Sequence, residues 1–333
     1  LTVTEDNSTA TRCGSRAVCS QAAAAYNLLS PMHSNPYSIR YWPTWAGLAV
    51  LWCLSHLPYR WQLSIGRVIG RVFKRLAGRR RAIADTNLAL CFPALSDTER
   101  QRLVHELFIS MGISVMEMAL GWWAPAHRLA PLARIEGLEH LHAALACNKG
   151  VILLSAHFTT LEIGGRLLAL HTPFHVMYRE HKNAAFDHVM KSARIRHFNK
   201  AIPRGDLRDL LGSLRDNIPV WYAPDQDHGR EQSIFVPFFG VPAATITATS
   251  RLARISGACV VPFFQTRLPD GQGYQLTLYP SLADFPGASI KEDTQRINEL
   301  IEARVREQPG QYLWAHRRFK TRPEGEADVY QEL

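Results

Sequence analysis

His157 and Glu162, five positions apart in Ser155-Ala156-His157-Phe158-Thr159-Thr160-Leu161-Glu162, are the residues of this chain whose types and spacing most directly suggest chemistry. A neutral imidazole held by a carboxylate is a general base that can take a proton from a hydroxyl near neutral pH. Within one continuous helix, side-chain neighbours lie three or four apart, so a spacing of five puts the two on different faces. They can meet only if His157 occupies the turn before a helix and Glu162 its first turn. The flanking sequence allows this. The aliphatics Val151, Ile152, Leu153 and Leu154 after Gly150 read as a buried strand, and 161–170 reads as a helix. The carboxyl end of a strand is where open α/β sheets place their sites. The same residues carry a plainer reading, because Thr159-x-x-Glu162 also matches a helix capping box.

Other polar groups fall at the ends of expected strands. Arg179 follows Tyr178, Arg204 lies in Ile202-Pro203-Arg204-Gly205, and Asp225, Gln226, Asp227, His228 and Gly229 follow the apolar run 220–223. Loops at one end of an α/β sheet converge on one rim, so these groups could face His157. Arg179 and Arg204 would then bind a phosphate or carboxylate, or stabilise a developing oxyanion; the alternative is a surface ion pair for each. Asp225, Asp227 and His228 could serve a metal, as a hydrolase would need, but no second ligand group stands at a known spacing and an Asx turn explains them more simply. No metal ligand and no cofactor are therefore assigned. The run Ile234-Phe235-Val236-Pro237-Phe238 could line an apolar channel or form a core strand.

The elements that must position these residues alternate. Strands are expected at 151–155, 175–178, 220–223, 234–238, 260–265 and 275–279. Helices are expected from 160, over 184–198, from Asp206 to 215, over 247–256 and over 291–308, with a last extended run at 312–315. Alternation of this kind implies an α/β fold, a mostly parallel central sheet flanked by helices. Ser96-x-x-Glu99 is a capping box opening a helix through Leu103, Leu107, Met111, Val115 and Met118. No internal repeat and no Gly-rich phosphate loop appear, and Gly164-Gly165 reads as a point of close helix–sheet packing.

The chain has 333 residues and a net charge of +9 with histidine neutral, an excess that suggests an anionic partner. Its distribution narrows the choice. Between Arg60 and Arg81 stand eight basic residues and no acid, directly after the apolar, tryptophan-flanked segment 45–57. That segment is short of the ~20 residues of a spanning helix, and with Tyr41, Trp42, Trp45, Trp52, Tyr59 and Trp61 around it resembles a shallow span or interfacial anchor. No other stretch is expected to span. Nucleic-acid binding is not expected, since the basic run abuts this segment and no recognition motif appears. Cys13, Cys19, Cys53, Cys91, Cys147 and Cys259 show neither a CxxC nor a zinc spacing, which fits a reducing compartment. The expected organisation is a tail over 1–36, anchor and basic segment over 37–82, a main domain over 83–325 and a C-terminal tail over 326–333.

Taken together, several stretches resemble the lipid A late acyltransferases, over roughly residues 41–325. They are Arg81-Ala82-Ile83 with Asn87-Leu88 and Cys91-Phe92-Pro93, His157 through Gly165, Tyr178-Arg179, Asp225-Gln226-Asp227-His228-Gly229 with Val236-Pro237-Phe238-Phe239-Gly240, and Gln311-Tyr312-Leu313-Trp314 with His316-Arg317-Arg318-Phe319-Lys320. The resemblance implies a glycerolipid-acyltransferase-like fold with an N-terminal membrane anchor helix, facing the cytoplasm from the bacterial inner membrane. It implies an acyl chain carried by acyl carrier protein as donor and a hydroxyl of a 3-hydroxyacyl chain on a lipid A precursor as acceptor. Glu162 stands where related glycerophosphate acyltransferases carry Asp. On this reading His157 is the base and Glu162 its orienting partner, no acyl-enzyme forms, Arg179 contacts an oxyanion or phosphate, and the 225–227 loop shapes the acceptor site. A glycerophospholipid-type acyltransferase, or a non-catalytic protein holding anionic lipid at a membrane surface, is the alternative.

Overall fold

A computed structural model describes residues 35–331; the tail expected over 1–36, with Cys13 and Cys19, lies almost wholly outside them. The organising element is strand β2 (Val151–Leu154), in which all four side chains are buried. A strand apolar on both faces must lie in the middle of a covered sheet. β2 pairs in parallel with β5 (Val220–Tyr222) on one side and β8 (Cys259–Arg267) on the other. Beyond β5 come β3 (His175–Tyr178) and β4 (Ala201–Pro203), also parallel. Beyond β8 come β9 (Tyr274–Leu278), antiparallel to it, and β1 (Ala133–Glu136), giving the seven-stranded order β1-β9-β8-β2-β5-β3-β4.

The mostly parallel sheet is as expected, with two differences. The 275–279 strand runs against its neighbour because only a short turn joins β8 and β9, and a parallel return needs a crossover of a dozen or more residues. The apolar 234–238 run is not in this sheet. It is β6 (Ser233–Phe238), which forms a separate antiparallel hairpin with β7 (Val241–Ile246). Phe238 is buried in the main core with Tyr312, Trp314 and Phe319, and Val236 is buried as well, so the run is core rather than channel. β1, β7 and the helix Leu138–Ala146 escaped the sequence reading; β1 alternates half-buried and exposed residues over only four positions, too few for a period to emerge.

Ten α-helices of eight residues or more surround the sheets among the described residues: α1 (Trp42–Ser55), α2 (Tyr59–Leu76), α3 (Gly78–Cys91), α4 (Asp97–Trp123), α5 (Leu138–Ala146), α6 (Leu161–Leu168), α7 (Ala184–Phe198), α8 (Leu207–Arg215), α9 (Ala248–Ser256) and α10 (Ile290–Glu307). The Ser96 capping box forms as expected, with Ser96 Oγ accepting from the Glu99 amide at 3.3 Å and Glu99 Oε2 from the Ser96 amide at 2.9 Å. It opens α4, which at 27 residues is long and apolar enough to cross a membrane. This corrects the expectation that no stretch beyond 45–57 would pass that test. In the fold, 61% of its most apolar window is buried, against α1, α2, α6 and α7, so it is a central core helix.

α1 has 14 residues, about 21 Å, less than the roughly 30 Å hydrocarbon thickness of a bilayer. Trp42, Val50 and Trp52 are exposed on it. α2 lies along α4 through Gly70 and Gly112: a Cβ on Gly112 would stand 2.2 Å from the Gly70 nitrogen, so only glycine permits this approach. The expected close packing at Gly164-Gly165 is present too, since a Cβ on Gly164 would meet Gln265 Cγ at 2.4 Å. The last described residues pack on the main domain. Tyr330 is buried, its hydroxyl donates to Asn87 Oδ1, and the Phe319 amide donates to it.

Candidate active site

β2 and β5 are parallel neighbours, so the loops after their carboxyl ends emerge side by side. The first brings His157 and the second Asp225. Asp225 Oδ1 lies 2.7 Å from His157 Nδ1, and Asp225 Oδ2 accepts from the His157 backbone N–H at 2.9 Å. The Tyr312 hydroxyl donates to the same Oδ2 at 2.9 Å. The carboxylate side chain is 1% exposed and the imidazole 30%. Burial alone would raise the Asp225 pKa, but the His157 charge and its two hydrogen bonds, with help from Tyr312, hold it at about 2. Burial and the neighbouring Asp225 carboxylate push Tyr312 well above the ordinary phenol value, so it stays a donor.

The last extended segment closes this loop from the other side. The Leu313 amide donates to the His157 carbonyl at 3.0 Å and the Thr159 amide to the Gln311 carbonyl at 2.8 Å, and Phe158 bridges to Tyr312 as a single antiparallel pair. His157 and Asp225 open onto a small cleft with Gln226, Tyr312, Trp314 and His316 in its wall. An imidazole with Nδ1 fixed by a buried carboxylate and the rest of the ring in a cleft leaves Nε2 as the nitrogen available to a substrate proton.

Glu162 is not the partner of His157. Its carboxylate accepts from Arg194 Nη2 at 2.6 Å, Arg194 Nε at 3.2 Å and Trp122 Nε1 at 2.9 Å. Nor does the capping box form: Thr160 caps α6 without a side-chain bond, and Thr159 Oγ1 lies 2.6 Å from Ser110 Oγ. The expected location is right, with His157 in the turn and Glu162 in the first helical turn. Nothing near Glu162 in the chain announces the cation on α7 and the indole on α4 that converge on its carboxylate. Burial raises Glu162, but Arg194 and Trp122 outweigh it and lower the pKa, so it is ionised. Both side chains of the pair are 17% exposed.

Of the other residues in the 225–229 loop, Asp227 has structural partners. Asp227, with a fully buried side chain, accepts from the Gly229 amide at 2.9 Å and from the Thr321 amide and hydroxyl at 2.8 and 2.9 Å. Asp225 and Asp227 thus spend their oxygens on separate protein donors, and among the described residues no group of three or more His, Cys, Asp or Glu is placed to hold a metal. Arg204 and Arg179 are exposed at the ends of β4 and β3, joined through the Arg204 amide and the Tyr178 carbonyl at 2.7 Å. Arg204 is close enough to His228 for its charge to lower that pKa. The Arg179 side chain makes no hydrogen bond or ion pair with the described residues. Among the described residues the free cysteines are Cys91, buried as expected of a small filler, Cys259, and the exposed Cys53 and Cys147.

His228 and His316 share the cleft's positive field. Burial lowers both, and after it Arg204 and His157 lower His228, while Asp225 pulls His316 back up less than burial, His157, Arg318 and Lys320 push it down; each reaches about 4. Both are therefore neutral in the folded protein at pH 5, whereas the unfolded chain protonates them below about 6.5. The unfolded state then binds more protons, so stability present above pH ~6.5 is lost as pH falls towards 4. Chemical denaturation at pH 7, 5.5 and 4.5 should show a decline of up to about 5 kcal/mol for the two together, reduced by solvent screening, that His228→Gln with His316→Gln flattens. An undiminished decline in that variant would assign the acid sensitivity to other groups.

A family model described as "Bacterial lipid A biosynthesis acyltransferase" matches residues 33–321. The chain is 40% identical over 292 residues to a lipid A biosynthesis lauroyltransferase of Escherichia coli (strain K12), covering 87% of this chain and 95% of that one. It is equally similar, at 40% over 292 residues with the same coverage, to a lipid A biosynthesis palmitoleoyltransferase of the same strain. A lipid A biosynthesis myristoyltransferase from that strain is 32% identical over 295 residues, 87% of this chain and 91% of its own.

Proposed function

Because the chain belongs to the bacterial lipid A biosynthesis acyltransferases, we propose that it moves a fatty acyl chain from the thioester of acyl carrier protein to a hydroxyl of a 3-hydroxyacyl chain on a lipid A precursor. The observation that carries the mechanism is the His157–Asp225 pair at 2.7 Å on the rim of the sheet. Asp225 holds Nδ1–H and stabilises the imidazolium, and Nε2 takes the hydroxyl proton as the oxygen attacks the thioester carbonyl carbon. The tetrahedral intermediate collapses with cleavage of the C–S bond, and the imidazolium returns its proton to the leaving sulfur. The acyl group passes directly to the acceptor, so no acyl-enzyme is needed. Arg204, whose charge reaches His228, and Arg179, on the neighbouring strand end, are the cations that would meet the developing oxyanion or an acceptor phosphate. Gln226 and the Asp225–Asp227 loop shape the acceptor side. The Glu162–Arg194 pair fixes the start of α6 behind the base.

The same reading places the protein on the cytoplasmic face of the inner membrane, with α1 as a shallow anchor and the basic α2 stretch at the headgroups. Lipopolysaccharide biosynthesis supplies the context, and basic surfaces suit both an anionic lipid and an acidic carrier protein. Purified full-length chain incubated with acyl-carrier thioester and a Kdo-bearing lipid A precursor should yield a product heavier by one acyl group, at a rate unchanged by chelator. Lipid bound but never acylated would leave a binding protein; acylation of lysophosphatidic acid instead would move the chain to glycerophospholipid synthesis. Loss of rate with chelator would point to a metal.

A further inference from the structure

Helix α2 divides its circumference three ways. One face is buried: Gly66 and Gly70 pack on α4, Gln62 donates to the Ser55 and Leu57 carbonyls, and Leu63 lies against the β8–β9 turn. A second, at helical spacing, carries Arg60, Ser64, Arg67, Arg71, Lys74 and Arg75. The third, next to it, leaves Trp61, Val68, Val72 and Leu76 exposed at 65, 54, 47 and 79%. A free apolar stripe beside a stripe of cations suits the boundary between acyl chains and headgroups. None of the five cations forms an ion pair with the described residues. At the amino-terminal end of this stripe a cleft opens between α2 and the β8–β9 turn, lined by Arg60, Leu63, Ser64, Arg67, Asp270 and Gly271. The turn folds close against the helix, with the Cβ position of Gly271 3.3 Å from Leu63 and 3.6 Å from Arg60.

We propose that this cleft is a binding site for the phosphate of an anionic membrane lipid, separate from the His157–Asp225 cleft. Arg60 and Arg67 lie two turns apart on one face, so two guanidinium groups can converge on one phosphate, while the Ser64 hydroxyl between them donates to the Arg60 carbonyl at 3.1 Å. Asp270 shares the cleft and opposes a second negative charge, which suits a single phosphodiester better than a more highly charged group. The apolar stripe settles the source: the lipid's acyl chains lie along Trp61 and Val68 while its headgroup reaches the arginines. The site orients the protein on the bilayer rather than taking part in acyl transfer. It uses the membrane reading above only for its location.

The test is binding, read by co-sedimentation of the full chain with phosphatidylcholine vesicles with or without phosphatidylglycerol, no acyl donor being present. With Arg60→Gln and Arg67→Gln together, affinity for the anionic vesicles should fall roughly 100-fold or more, because direct charge-assisted hydrogen bonds to phosphate are lost as well as two interfacial cations. Arg71→Gln with Arg75→Gln removes the same charge outside the cleft and should cost no more than the roughly 30-fold of two interfacial cations. Equal losses in the two pairs would show diffuse attraction and overturn the site, as would no loss in the first. Inorganic phosphate competing away vesicle binding at millimolar concentration would reassign the cleft to a free anion. Because the readout is binding, the proposal can fail while acyl transfer survives, and the reverse.

Discussion

Replacing His157 by alanine is expected to lower acyl transfer by roughly 10²–10⁴-fold, the range that a positioned general base contributes. The fold should survive, because the imidazole is the most exposed member of its network and Asp225 keeps the His157 backbone N–H and the Tyr312 hydroxyl. Circular dichroism and vesicle binding matching the parent, with product formation barely above background, is the expected pair of results. Transfer within a few-fold of the parent would remove the base and leave positioning by the cleft as the source of catalysis.

The second large effect separates two carboxylates that the sequence alone does not tell apart. Asp225→Asn keeps the shape of the side chain but removes the charge that opposes the imidazolium, and its amide can present N–H to Nδ1. It should lose turnover by a similar 10²–10⁴-fold, together with a stability loss on the order of 2 kcal/mol at neutral pH, because the fold favours the ionised carboxylate. Glu162→Gln should behave differently. It leaves the Arg194 guanidinium largely buried beside a neutral partner, and breaking a buried pair costs about 3–5 kcal/mol, so about 2–3 kcal/mol is expected for side chains that retain some solvent contact. Its main signature is thermal, and conservative repair by Glu162→Asp should recover part of the midpoint. The reverse pattern, full stability but no turnover in Glu162→Gln and near-normal turnover in Asp225→Asn, would restore Glu162 as the residue acting on His157.

A second buried ion pair shows why such contacts resist reading from sequence. Arg267 on β8 reaches Glu117 on α4 in a bidentate contact at 2.5 and 2.6 Å, with Tyr274 and Ser110 completing the network. Glu117 sits in a run that reads as an apolar helix, and nothing near it in the chain announces its partner 150 residues away. Ser110 in turn meets Thr159, two residues from the base, so this network buttresses the catalytic loop from behind.

By itself the sequence determined what depends on near neighbours: a buried strand ending in a histidine, a helix beginning at the carboxylate, the Ser96 cap, and the short, basic-flanked α1. Periods of two and 3.6 residues and cap chemistry act over a few positions, and those elements formed within about three residues of their expected bounds. The alternation of elements also fixed the class of the sheet. Tertiary structure decided the order of strands, and through it the partner of His157. Asp225 stands 68 residues away and becomes a neighbour only because β5 pairs with β2. Glu162, five residues away, is turned to Arg194 because an ionised carboxylate that leaves water must find a cation and donors. Spacing along the chain limits which side chains can share a helix face; which distant group reaches a buried charge is settled by packing.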